Sequence, residues 1–164
     1  MLHRKVSLAG DTRYSMLVED RESRIPPRDA GGGKSLKGAR MAKSIMIVDD
    51  SATMRKIIMK TVRAAELGIG ETHEAGNGKE ALEKLQASAV DIMLCDINMP
   101  EMTGPELVKK VRQLPSCAKT KIIMVSTETA QGIVDDVLAS GANGYITKPF
   151  TPEKFKEKLA PLMN

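Results

Sequence analysis

The sequence predicts an α/β fold for residues 41–164: a parallel sheet of five strands with helices on both faces. Three observations lead there. From Ser44 onward, short apolar runs alternate with longer amphipathic ones, the pattern of strands joined by crossover helices. Two of the runs, Ile45-Met46-Ile47-Val48 and Ile122-Ile123-Met124-Val125, are apolar at consecutive positions, so both sides of those strands must be covered. Helix-start residues stand ahead of the amphipathic stretches, Ser51, Asn77-Gly78 and Thr151-Pro152 among them.

The strands are predicted at 44–48, 71–75, 91–95, 121–126 and 143–147. The second and fifth are the more polar and suit the edges. Met54, Ile57, Ile58, Thr61, Val62 and Ala65 recur at helical spacing after the Ser51 cap, and Ala81, Leu82 and Leu85 do so after Asn77-Gly78. Leu107, Val108 and Val111 mark a third helix; Ile133, Val134, Val137 and Leu138 mark a fourth. The fifth is capped by Thr151, has Pro152 in its first turn and Glu153 after it, and is expected to bury Phe155, Leu159 and Leu162. The result is (βα)₅. Right-handed crossovers with helices on both faces leave few topologies, of which the flavodoxin-like order 2-1-3-4-5 is the commonest.

Residues 1–40 read differently. They hold no sustained period of 2 or 3.6, and Ile25-Pro26-Pro27-Arg28-Asp29-Ala30-Gly31-Gly32-Gly33 breaks either element type. A disordered or spurious N-terminal extension is predicted, a mis-called start or a cloning leader, with Met41 as the first native residue. Gly33-Lys34-Ser35 resembles the end of a phosphate-binding loop, but Arg28 stands where that motif needs glycine and no apolar strand precedes it.

Charge distribution excludes several functions. Residues 1–40 carry nine Lys/Arg against five Asp/Glu, leaving sixteen of each in residues 41–164. The whole excess of +4 therefore belongs to the extension. With a balanced domain and only two Phe, two Tyr and no Trp to stack on bases, nucleic-acid binding is not expected. Cys95 and Cys117 lack CxxC spacing, so neither a disulfide framework nor a zinc site is indicated. No apolar run has the length of a membrane span and no secretory signal opens the chain. A soluble, cytoplasmic monomer is expected.

In open parallel sheets the ligand site lies beyond the carboxyl ends of the strands, where strand order reverses. Asp49 and Asp50 follow the first strand, Asp96 follows the third, Ser126 and Thr127 end the fourth, and Lys148-Pro149 follow the fifth. Taken singly, each has a duller explanation: an Asp pair as a helix cap, a solvated surface lysine, a strand-end hydroxyl in a local turn. Their joint occurrence on one rim is what points to a site. Three carboxylates so close repel unless a cation intervenes, and a hard cation with oxygen ligands, Mg2+, is the natural candidate. Lys148 and the Ser126 hydroxyl suit an anionic group held on one carboxylate.

On these residues the domain resembles a response-regulator receiver, and within that family the single-domain CheY-like chemotaxis proteins. The matching pieces are Val48-Asp49-Asp50-Ser51, Asp96-Ile97-Asn98-Met99-Pro100 with Gly104, Ser126, and Gly144-Tyr145-Ile146-Thr147-Lys148-Pro149-Phe150. The resemblance implies that Asp96 is the phosphoacceptor, taking a phosphoryl group from the histidine of a partner kinase. It implies magnesium held by Asp50, Asp96 and the Asn98 carbonyl, with Asp49 acting largely through water. Lys148 then pairs with the phosphate, and its bond to Pro149 is expected to be cis. Ser126 and Tyr145 are the implied switch pair, the hydroxyl drawn to the phosphate and the ring moving inward behind it. Asn98 and Glu128 match residues that orient the hydrolytic water, which implies a short-lived phosphate. Ser51 stands where some relatives carry an aromatic residue, which leaves recognition by a phosphatase open.

The implied role is a signalling switch whose turnover at Asp96 is its own phosphorylation and dephosphorylation, rather than a metabolic enzyme. With no output domain expected after Asn164, output would pass by protein contact, foremost to the flagellar motor switch. The competing partner is a histidine phosphotransfer protein in a phosphorelay. A fragment of a DNA-binding regulator and a flavin enzyme are further alternatives, the last lacking any flavin-binding loop.

Overall fold

The computed structural model describes residues 42–163. The extension at 1–40 and the boundary at Met41 lie outside the described residues. Five strands, β1 (Lys43–Val48), β2 (Ile69–Ala75), β3 (Ile92–Cys95), β4 (Lys121–Ser126) and β5 (Gly144–Thr147), alternate with five helices, α1 (Ala52–Ala64), α2 (Gly78–Ala87), α3 (Gly104–Arg112), α4 (Gln131–Ala139) and α5 (Pro152–Leu159). The strands pair in parallel in the order β2-β1-β3-β4-β5. This is the expected flavodoxin-like fold, with the polar strands β2 and β5 at the edges.

Strand alternation divides the core in two. Met46, Val48, Met93, Cys95, Ile122 and Met124 point to one face, where Leu85 of α2, Leu107, Val108 and Val111 of α3, and Val137 of α4 cover them. Ile45, Ile47, Ile92, Leu94, Ile123, Val125 and Ile146 point to the other, under Ile58 and Val62 of α1 and Phe155 and Leu159 of α5. Each such aliphatic or aromatic side chain, fully buried, contributes about 1.5–3 kcal/mol over exposure. The central strands β1, β3 and β4 are apolar on both faces for this reason.

The helix starts follow the sequence. The side chains of Ser51, Asn77, Thr103 and Thr151 each accept a hydrogen bond from a backbone N–H of the first turn they precede. Thr103 and Glu106 complete a reciprocal capping box. α4 is the exception, because Ala130 at its N-cap has no side chain to offer.

Three residues depart from expectation. Ile57 and Leu138 are 46% and 41% exposed: each adjoins an apolar neighbour, Ile58 or Val137, and at about 100° of rotation per residue only one of such a pair faces the sheet. Leu162 lies in a 3₁₀ turn (Ala160–Leu162) after α5 and is only partly buried, while Met163 is buried in the position expected for it. Pro161 in that turn prevents α5 from continuing.

Candidate functional site

Strand register brings the acidic residues level. Val48 is paired with Cys95 across β1 and β3, and one residue further on the Asp96 N–H donates to the Val48 carbonyl at 2.9 Å. On the far side of β4, Ser126 pairs with Thr147, and the Lys148 N–H donates to the Ser126 carbonyl at 2.8 Å. Asp49, Asp96, Ser126 and Lys148 therefore all leave the same rim, at the carboxyl ends of β1, β3, β4 and β5. The Lys148–Pro149 peptide is cis, as expected.

The Lys148 ammonium reaches across the end of β4 and donates to Asp49 Oδ2 and Asp96 Oδ1, both at 3.0 Å. Its carboxylate partner from the Asp49-Asp50 pair is thus Asp49, which is buried, while Asp50 is exposed beside it. Burial raises the Asp96 pKa; the hydrogen bond and charge of Lys148 pull it back, the Asp49 charge pushes it up again, and the net is above the ordinary carboxylate value. Burial works against the Lys148 ammonium, yet its hydrogen bonds to Asp49 and Asp96 outweigh this and hold its pKa above the usual lysine value.

Two contacts fix the backbone at Asp96. Gly104 opens α3 so close to β3 that a Cβ there would overlap the Asp96 carbonyl oxygen and come within 2.5 Å of Met124 Cε. The Cys95 thiol is fully buried and donates to the same carbonyl at 3.2 Å. Burial, with Asp96 and Asp49 nearby, pushes the pKa of that thiol well up, so it stays protonated and inert. Cys117 is likewise free and buried.

On the β4 side, the Ser126 hydroxyl is buried and accepts from the Glu128 N–H at 3.3 Å. The Tyr145 hydroxyl donates to the Glu128 carbonyl at 2.6 Å, and burial raises its pKa. Asn98 is exposed at the mouth of the rim. Asp49, Asp96, Lys148 and Ser126 form the inner site, and Asp50, Asn98, Glu128 and Tyr145 surround it.

Among the described residues, no three acidic, histidine or cysteine side chains form a ready metal cage. A small hard cation does not need one, since magnesium keeps several waters and takes one or two carboxylates. Asp50 and Asp96, with the Asn98 carbonyl, would be a donor set of that kind.

One residue of this neighbourhood escapes sequence reading. Arg55, in the first turn of α1, donates from Nη1 to the Asp49 carbonyl at 2.8 Å and from Nε to Glu74 Oε2 at 2.8 Å. Its only sequence signal is its place four residues after the Ser51 cap, which a solvated arginine could equally occupy.

The receiver-domain model of response regulators matches residues 45–160. The chain belongs to the response regulator receiver family. This receiver is 47% identical over 116 residues to the chemotaxis protein CheY1 of Helicobacter pylori, covering 70% of the chain and 92% of that relative. It is 45% identical over 120 residues to the chemotaxis protein CheY homolog of Campylobacter jejuni, covering 73% and 91%. Among solved structures, the chemotaxis response regulator CheY4 of Vibrio cholerae matches with a TM-score of 0.67 at 37% identity, over 74% of this chain and 98% of that one. The receiver domain of the sensor histidine kinase PA1611 of Pseudomonas aeruginosa, described with a magnesium ion in its active-site cleft, shares the fold at a TM-score of 0.66 and 22% identity, over 74% and 98% of the two chains. Among the described residues no helix is long and apolar enough to cross a membrane.

Proposed function

We propose that this receiver accepts a phosphoryl group on Asp96 from a histidine kinase, with Mg2+ bound at the acidic rim, and signals by protein contact to the flagellar motor switch in chemotaxis. The observation that carries this reading is the sharing of one ammonium, that of Lys148, by Asp49 and Asp96 at 3.0 Å each. Such an arrangement places a positive charge beside two buried carboxylates, where an anionic group on Asp96 would sit. The names of the Helicobacter, Campylobacter and Vibrio relatives support the chemotactic setting.

In the proposed reaction an Asp96 carboxylate oxygen attacks phosphorus in line. An O–P bond forms, the N–P bond to the kinase imidazole breaks, and the leaving nitrogen keeps the electron pair and takes a proton. Little else is needed beyond positioning and charge neutralisation. Asp50, Asp96 and the Asn98 carbonyl would hold the magnesium ion, with Asp49 acting through water, and the ion when bound would neutralise charge on the phosphoryl oxygens. Lys148 turns from carboxylate to phosphate. The phosphate adds roughly −1.5 to −2 of charge, so the Ser126 hydroxyl is drawn toward it and away from the Glu128 N–H. Because Tyr145 is tethered to the Glu128 carbonyl, loss of that anchor frees the ring to move inward, altering the surface of α4, β5 and α5. Asn98 and Glu128 orient the water that hydrolyses the phosphate, which gives it a lifetime of seconds to minutes.

The test is incubation with acetyl phosphate and magnesium, followed by binding to a motor-switch peptide and to a histidine phosphotransfer protein, with Asp96→Asn as control. The wild type gains affinity for the motor-switch peptide and the variant does not. Equal gain in both would move the site elsewhere. Phosphate transfer to the phosphotransfer protein without motor-switch binding would replace chemotaxis with a phosphorelay.

A further inference from the structure

All the polar atoms of Asp49 are engaged within the protein. Its N–H donates to the Ala75 carbonyl at 3.2 Å, Oδ1 accepts from the Ser51 N–H at 2.9 Å, and Oδ2 accepts from Lys148 at 3.0 Å. The remaining atom, the backbone carbonyl oxygen, accepts from Arg55 Nη1 at 2.8 Å. Asp50, one residue on, is exposed and shares none of these ties.

Arg55 is itself well held. Its Nε donates to Glu74 Oε2 on β2, its side chain is only 17% exposed, and its stem rises from a turn anchored by the Arg55 N–H to Ser51 carbonyl bond at 3.0 Å. The guanidinium thus spans β2, α1 and the loop after β1, using two N–H directions fixed at an angle to each other. A lysine ammonium has the charge but not the rigid fork.

We propose that Arg55 is a positioning residue: by clamping the Asp49 carbonyl it orients Asp50 for a divalent cation. The Asp49 carbonyl and the Asp50 nitrogen belong to one rigid peptide plane, so fixing the oxygen fixes the direction in which Asp50 leaves the strand end. Charge alone argues the other way. A guanidinium beside an acidic rim repels a second cation, so its removal should tighten metal binding if electrostatics were its whole role. The two roles therefore predict opposite outcomes. This inference rests on the reading of the rim as a magnesium site.

The experiment is calorimetric titration of the metal-free full chain with Mg2+, for wild type, Arg55→Lys, Arg55→Gln and Glu74→Gln, together with backbone amide exchange at Asp50 and Ser51 before metal is added. Both Arg55 variants are expected to lose about tenfold or more in Mg2+ affinity, the scale seen when a group supporting a metal ligand is removed. Glu74→Gln should lose less, and amide exchange at Ser51, whose N–H is held by Asp49 Oδ1, should quicken in all three. Arg55→Lys binding as the wild type does, with Arg55→Gln binding more tightly, would overturn the proposal while leaving the magnesium site standing. A wild type that neither binds Mg2+ nor is phosphorylated would sink both readings. Should the Arg55 variants fail to fold, Glu74→Gln decides: weakened binding supports the clamp, and unchanged binding with unchanged exchange refutes it.

Discussion

Lys148 and Asp96 lie fifty-two positions apart in sequence and 3.0 Å apart in space, joined across the end of a strand that belongs to neither. With Asp49 bound to the same ammonium, this is one cation serving two buried carboxylates, and its energetics are open to measurement.

Lys148→Met leaves both carboxylates without their cation. The loss at neutral pH should be about 3 kcal/mol, the scale for removing one partner of a buried pair. Since the wild-type lysine pKa is raised, the stability it contributes is fully present below the unfolded lysine value and is lost as pH rises through the folded one. In the variant, acidification instead restores stability as Asp96 takes up a proton. Urea denaturation from pH 4 to 8 checks this, and a pH-independent deficit would contradict it.

Asp96→Asn tests the opposite sign. The folded pKa of Asp96 is raised, so ionisation costs the native state nothing below the unfolded pKa and the full penalty above the folded one. The variant should be more stable at pH 7 by about 1 kcal/mol, roughly 4 °C in Tm, and the gain should vanish in acid below both values. A lower melting temperature at pH 7 would show that the charge pair is net stabilising.

Gly104→Ala must push against the Asp96 carbonyl and Met124. Backbone cannot retreat as a flexible side chain does, so the expected cost is about 1–3 kcal/mol, although alanine is otherwise the better helix former. Gly132→Ala in α4, where a Cβ meets nothing within 4 Å, is the matched control and should stabilise by about 0.5–1 kcal/mol.

Tyr145→Phe removes the 2.6 Å bond to the Glu128 carbonyl. The expected loss is about 1 kcal/mol, with faster amide exchange across residues 127–130. Unchanged exchange there would mean that the hydroxyl does not hold the segment.

The sheet was legible because β1 and β4 had to be apolar on both faces, and because the residues opening α1, α2 and α5 were capping types. The site was legible because Asp49, Asp96 and Lys148 follow strands and Ser126 ends one, and the topology gathers those ends. What could not be read were contacts made by long, flexible side chains. Arg55 reaches from a helix turn to a backbone carbonyl, and Arg112 joins α3 to the carbonyls of Thr120 and Gly141 and to Asn143 Oδ1; neither leaves a periodic trace. Ile57 and Leu138 misled for a related reason, since an apolar residue adjacent to a buried one fits the helical stripe without belonging to it.

The close seating of Gly104 on the Asp96 carbonyl has a mechanical consequence. It leaves the β3–α3 joint no room for a larger residue, so the backbone at Asp96 is held by contact as well as by hydrogen bonds. α4, packed on the same face of the sheet, opens instead without a side-chain cap. The two helices over that face therefore start from unequal footings: α3 is wedged against backbone and boxed by Thr103 and Glu106, while the start of α4 has no side-chain hydrogen bond.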